Sequence, residues 1–415
     1  RVTFKHINKL AIPALIAGIA EPLLSITDTA IVGNVTQNPT EALAAVGIAG
    51  SFLSALFWIL AQTRSAISAI VAQYLGANRL DQIKTLPAQI IAINIVISIA
   101  LYFATIFSIE WIFKLYNADG IILNYSVTYY KIRAIGLPLT LFVFSVFGVF
   151  RGLQNTFWPM LISIVGASLN VLLDYILVFG IEGIIPAMHI QGAAYASVIS
   201  QAVMAIMALI LMLKKTPFNF RFQFPFNSQI KRLLQLSLNL FIRALALNIA
   251  LYFANAYATK YGDNYIAAQT IAFQIWLFFA FFIDGYASVG NIVSGRLLGE
   301  RDYKNLWNLS IDLSKYSMVI TIVLAGTCFI FYENIGEIFS DDPLVLNSFF
   351  AIFWIVLITQ PISAITFIFD GMFKGMGEMK YLRNLLILST GFIFIPTLLV
   401  CDYYDLKLKL VRVYE

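Results

Sequence analysis

The sequence predicts an all-α polytopic membrane protein made of two six-helix bundles, with the last helix of the second bundle missing. Three observations predict it. Only 12% of residues are charged and 60% are hydrophobic, against about 25% charged in a soluble domain, and the mean hydropathy is +0.83. Apolar runs recur along the chain, many of them about 18 residues or longer and so able to cross a bilayer as helices. The chain also repeats itself at a shift of 223 residues. In lipid every backbone polar group must bond within its own structure, so these runs become helices; the short alternating segments of a transmembrane barrel are absent.

The predicted helices of the first half run at about 7–33, 42–75, 85–110, 122–150, 158–180 and 190–213. Those of the second half run at about 233–257, 264–298, 307–332, 344–372 and 383–401. The polar stretch KKTPFNFRFQFPFNSQIKR separates them. The expected organisation is an N-terminal lobe at 1–213, a linker at 214–232 and a C-terminal lobe at 233–415. The linker alternates Phe218, Phe220, Phe222, Phe224 and Phe226 with mostly polar residues, which suits a tether whose rings lie at headgroup depth.

The loops set the orientation. One side carries Arg1, Lys5, Lys9, Arg79, Lys84, Arg151, the linker cations, Arg296, Arg301, Lys304, Lys374, Lys380 and Arg383. Before residue 402 the other side carries Lys114 and Lys260. The positive-inside rule then places the N-terminus and the linker in the cytoplasm of an inner (plasma) membrane protein. The first apolar run continues through Asp28 and lacks a small-residue cleavage site, so no cleaved signal peptide is expected.

The repeat rests on five places with one offset. INKLAIPAL at 7–15 falls on IKRLLQLSL at 230–238, and AAVGIA at 44–49 on AAQTIA at 267–272. Leu75 and Gly76 fall on Leu298 and Gly299, Pro138 on Pro361, and Phe150, Arg151 and Gly152 on Phe373, Lys374 and Gly375. Six helices is an even number, so both copies start on one side, as in a parallel repeat about the membrane normal, with substrate held between the bundles. A twelfth helix should recur at about 413–436, yet the sequence ends at Glu415 and its polar tail cannot span. Truncation is the expectation, because Lys407, Lys409 and Arg412 fit poorly on the outer side.

Several classes of function are excluded. Cys328 and Cys401 make no disulfide framework or metal spacing, and His6 and His189 form no cluster. The basic residues are spread over loops, which does not suit nucleic acid. No P-loop, HExxH or GxSxG motif is present. The reading is a transporter rather than an enzyme, driven by an ion gradient and without a cofactor.

The chemistry centres on carboxylates inside predicted spans. A charged residue at mid-membrane costs roughly 2.5–3.5 kcal/mol and marks function by default. Asp28 in the first helix and Asp174 in the fifth each lie about six residues from the outer end, roughly 9 Å below the surface at 1.5 Å per residue. Ser197 and Tyr129 fall at similar depth. Asn170 precedes Asp174 by four residues and shares its face, and Glu21 shares the face of Asp28, deeper in. Burial away from water disfavours a charged carboxyl, and a second carboxylate nearby disfavours double ionisation. Such oxygen donors suit a proton, or sodium held by Asp28, Asn170 and Asp174. The repeat maps Asp28 to Leu251, Asn170 to Ile393 and Asp174 to Thr397, so the acidic site is not duplicated. Kinking of the first helix at Pro13 or Pro22 could move Asp28.

Other polar residues read more weakly. Arg64, Arg133 and Arg243 suit contacts between helices, and Asp312 with Lys315 suits an i,i+3 neutral pair. Asp284 is read as the acid well inside the second bundle, where it, Gln269, Gln274 and Trp276 could line a cavity for cationic substrate, with Glu21 as the first bundle's contribution.

The segments ITDTAIVGN, VAQYLGANRLDQ, FRGLQNT, GASLNVLLDYILVFG and QGAAYASVIS together resemble the multidrug and toxic compound extrusion (MATE) family, most closely its DinF-like branch. The resemblance implies a V-shaped pair of six-helix lobes with alternating access, exporting organic cations in exchange for protons or sodium. It also implies that Asp28 is the essential acid, with Asn170, Asp174 and Tyr129 matching the family pattern. Ser197 stands where the family has Thr and keeps the hydroxyl. The family has twelve helices where this chain shows eleven. The expected function is a multidrug efflux antiporter, monomeric in the bilayer. The rival readings are a flippase for a lipid-linked sugar and a non-transporting membrane protein.

Overall fold

The fold is seen in a computed structural model, which describes residues 1–404 and, for residues 21–26, the backbone alone. The side chain of Glu21 and the tail residues Lys407, Lys409 and Arg412 lie outside the described residues. The chain is nearly all helical: α1 (Phe4–Val32), α2 (Pro39–Gly76), α3 (Leu80–Leu115), α4 (Gly120–Gly152), α5 (Phe157–Phe179), α6 (His189–Lys215), α7 (Ile230–Tyr261), α8 (Asp263–Glu300), α9 (Tyr303–Ile330), α10 (Pro343–Met376) and α11 (Met379–Tyr403). Among the described residues, the ten helices after α1 are each long and apolar enough to cross a membrane. Large apolar side chains such as Phe107, Trp111, Phe329 and Ile330 stand exposed on them, as lipid-facing residues do when the solvent is hydrocarbon.

Two compact units divide the chain: Ile12–Gln235, and Arg1–Ala11 with Leu236 onward. In the first unit a polar tie organises the packing of three helices. Asn94 of α3 donates from Nδ2 to Oγ1 of Thr63 in α2, at 3.2 Å, and to Oγ of Ser145 in α4, at 2.8 Å. Glycines let the backbones close up: a Cβ at Gly152 of α4 would overlap the side chain of Val71, and one at Gly148 would crowd the carbonyl of Arg64. Small residues serve this purpose in membranes, where apolar burial alone gives little drive between helices. An aromatic knot fills the other end, with Tyr130 packed on Phe52 at 5.5 Å and on Phe113 at 5.9 Å between ring centroids. The α4 ladder is interrupted by a 3-10 turn at Ala134–Gly136, directly before the Leu137–Pro138 step, where proline lacks a donor and restricts its predecessor.

In the second unit, the backbones of α8 and α10 approach closely. Gly371 and Gly375 of α10 are one turn apart, and a Cβ on them would collide with the carbonyls of Ala287 and Asn291 in α8. The neighbour is backbone and cannot give way, so Gly371→Ala should lower stability by about 1–2 kcal/mol, read as a lower thermal midpoint in detergent. Ile7, Leu10 and Ala11 pack with Val289, Ile292, Leu309, Ile368 and Met372 in one apolar cluster. A second cluster holds Phe279, Phe349 and Phe353. Among the described residues the ion-pair contact of Asp312 is with Arg1 rather than with Lys315. Asp312 accepts from Nε of Arg1 at 2.9 Å on one oxygen and from Nη2 at 2.5 Å on the other, because the planar guanidinium matches both carboxylate oxygens at once, which the single nitrogen of a lysine does not.

Candidate functional site

The first unit brings four of the sequence-selected residues into one cluster. Asp28 comes from α1, Asn170 and Asp174 from α5, and Ser197 from α6; each is at most 5% exposed. Local sequence explains the convergence. Asn170 and Asp174 stand one turn apart and so share a face of α5. Gly192 lets α6 lie against that helix, since a Cβ there would press on the Leu177 carbonyl, three residues beyond Asp174.

Asn170 is the hinge of the arrangement. Its Nδ2 donates to Oδ1 of Asp28 at 2.9 Å and to Oδ2 of Asp174 at 3.2 Å. An amide nitrogen carries two hydrogens, so both bonds form at once. Asp28 also accepts from Oγ of Ser197, through a longer contact of 3.4 Å. Two oxygens, Oδ1 of Asn170 and Oδ1 of Asp174, are buried with no hydrogen-bond partner among the described residues. An unmet buried acceptor is costly, and two carboxylates joined through one amide repel in a low dielectric. A proton or a hard monovalent cation would answer both, since the donors are all oxygen.

Tyr129 is buried beside this cluster on α4, with the Arg133 guanidinium 6.0 Å from its ring centroid. It adds no hydrogen bond to the cluster among the described residues. Arg133 also stands 5.8 Å over Phe57, a cation–π contact that the spacing of the sequence does not announce.

Among the described residues, no hydrogen bond or ring contact joins Gln269, Gln274, Trp276 and Asp284 to one another. Gln269 of α8 is buried and donates to Oδ1 of Asn255 at 3.1 Å, with its own Oε1 unmet among the described residues. Trp276 stacks on Phe273 at 5.7 Å and leans on Phe367 at 6.0 Å. Gln274 and Asp284 are exposed on the same helix. Asp284 is therefore exposed on α8 rather than packed well inside the second bundle. Among the described residues, Asp370 of α10 is a half-buried acid of this unit inside a spanning helix. It lies against Arg243 of α7 and 2.7 Å from Nζ of Lys374. The i,i+4 spacing of Asp370 and Lys374 was a visible signal; the partner on α7 was not.

A family profile described as MatE matches residues 13–176 and 240–399. The chain belongs to the MatE family. The two matched stretches are the halves that the 223-residue repeat superimposes, so both copies carry the MatE pattern. MatE relatives include proteins named as multidrug exporters, and MatE members are transporters rather than enzymes. Protein DETOXIFICATION 43 of Arabidopsis thaliana is 29% identical over 256 residues, which cover 61% of this chain and 47% of that protein; the match thus spans about half the relative's length. DNA damage-inducible protein F of Escherichia coli (strain K12) is 24% identical over 398 residues, covering 94% of this chain and 84% of that one. Among solved structures, a crystal structure of MATE in the bent conformation superimposes with a TM-score of 0.89 at 22% identity, covering 99% of this chain and 90% of that one. At that identity the likeness speaks to the fold, which is that of a multi-pass MatE membrane protein.

Proposed function

We propose that this chain is a secondary multidrug antiporter of the plasma membrane. It would export organic cations or other amphipathic compounds in exchange for protons or sodium. The observation that carries the reading is the single Asn170 amide held between two buried carboxylates, with two further oxygens left unmet. Cation entry at Asp28, Asn170 and Asp174 would draw α1 and α5 into one arrangement, and cation release would favour another. Substrate that prefers the second arrangement is then coupled to the ion, because each ligand shifts the other's affinity equally. Nothing in the oxygen set separates proton from sodium, so the ion is named by experiment. The basic loops support a cytoplasmic N-terminus, and the protein works as a monomer in this scheme.

The test is ethidium efflux from proteoliposomes holding the full chain. A pH gradient and a sodium gradient are imposed separately. Efflux above the liposome blank under one of them names the ion and supports the antiporter. Efflux at the blank level under both contradicts it. In the same assay Ser197→Ala should slow efflux by no more than about fivefold, since the bond it removes is long and an ordinary hydrogen bond contributes about 1 kcal/mol.

A further inference from the structure

The linker between α6 and α7 is fixed by a side chain that the coupling scheme does not use. Gln89, in the first turns of the spanning part of α3, is fully buried. Its Nε2 donates to the carbonyls of Gln223, at 2.8 Å, and Pro225, at 3.1 Å. Its Oε1 accepts from the backbone N–H of Asn227 at 2.8 Å. Asn227 in turn donates from Nδ2 to the carbonyl of Gln82 at 2.9 Å. One buried amide therefore holds three alternate residues of the linker.

That grip sorts the five phenylalanines. Phe218 is buried and Phe220 packs on Phe142, with centroids 5.5 Å apart. Phe222, Phe224 and Phe226 instead touch one another edge to face at 5.1–5.9 Å, and Phe224 is 74% exposed. Three rings held together in the open are an apolar patch that calls for a partner. The same linker carries Lys214, Lys215, Arg221, Lys231 and Arg232 and no acid. It also joins directly to two spanning helices, which puts it at the edge of the bilayer.

We propose that Phe222, Phe224 and Phe226 form an interfacial anchor that inserts into an anionic lipid leaflet, with the linker cations drawn to the headgroup phosphates. Aromatic and apolar groups on such segments bury in the boundary between headgroups and acyl chains while basic residues stay with the phosphates. Because Gln89 already orders the backbone, little conformational freedom is lost on insertion. The anchor requires the spanning reading of the helices but is independent of the coupled ion.

The experiment places a nitroxide by Phe224→Cys in a full chain whose Cys328 and Cys401 are replaced by Ala, with Ser228→Cys on the same linker as the exposed reference. In phosphatidylglycerol-rich liposomes the label at 224 should collide with oxygen more than with a water-soluble nickel chelate, and the label at 228 the reverse. Equal nickel access at both positions overturns the anchor. Arg221→Gln should lower the inserted population about fivefold at low salt, the worth of one basic residue near an anionic surface. Insertion that is unchanged by Arg221→Gln and in pure phosphatidylcholine overturns the electrostatic part. Gln89→Leu, taken only if it elutes as a monodisperse peak, should raise nickel access at 224; unchanged access overturns the role given to Gln89.

Discussion

Asp28→Asn is expected to cut gradient-driven ethidium efflux about 5–150-fold, the span of a coupling free energy of ~1–3 kcal/mol. The substitution is nearly isosteric. An asparagine carbonyl can still accept the bond that Asp28 takes from Asn170 at 2.9 Å, so packing of α1 against α5 survives. What disappears is the negative charge. A merely structural Asp28 would tolerate the change, with efflux near the wild-type rate and a lowered thermal midpoint at most. A coupling Asp28 gives the opposite pattern, with the midpoint kept and the efflux lost. Running both measurements on one preparation separates the two roles.

The second large effect concerns stability. Asp370→Leu should destabilise the second unit by up to about 3 kcal/mol, the lower edge of the range for breaking a buried ion pair. Asp370 meets Arg243 on one oxygen and Lys374 on the other, and all three side chains are mostly covered. Removing the carboxylate leaves two cations facing each other inside a spanning region. Lys374, near the end of α10, can swing its flexible stem toward water; Arg243, farther along α7, has less freedom. The double variant Arg243→Met with Asp370→Leu should therefore recover most of the loss, since an ion pair replaced by apolar groups of similar volume is close to neutral. Thermal unfolding in detergent reads both. A double variant no more stable than the single one would show that the pair is not the source of the effect.

The sequence was most informative where one helix carries the whole signal. Apolar length alone marked the spans, and the 223-residue offset related their two sets. Counting residues from helix ends placed Asp28 and Asp174 in one layer, and the i,i+4 relation put Asn170 on the face of Asp174; the bonds through the Asn170 amide join those same residues. Partners far apart in the chain were not legible. Asp312 has Lys315 three residues away, yet its carboxylate goes to Arg1, 311 residues distant. Arg243 and Asp370 carry no local mark of each other. Gln89 reads as one more polar residue near a helix start, and only the folded chain reveals the linker carbonyls on its amide. The alternation of linker phenylalanines is plain, but which rings pack inward and which cluster outside is seen only in the folded chain. In each case local periodicity defines a face, and tertiary packing decides what the face meets.

The most direct test of the proposed coupling is cation release in solution. Ethidium is added to the purified full chain in weakly buffered detergent, and free proton and free sodium are followed with selective indicators. The coupling scheme predicts release of about one cation per ethidium bound, because ligands that favour different states displace each other, and none from Asp28→Asn. Ethidium binding to wild type with neither ion released, or release undiminished in Asp28→Asn, would contradict it.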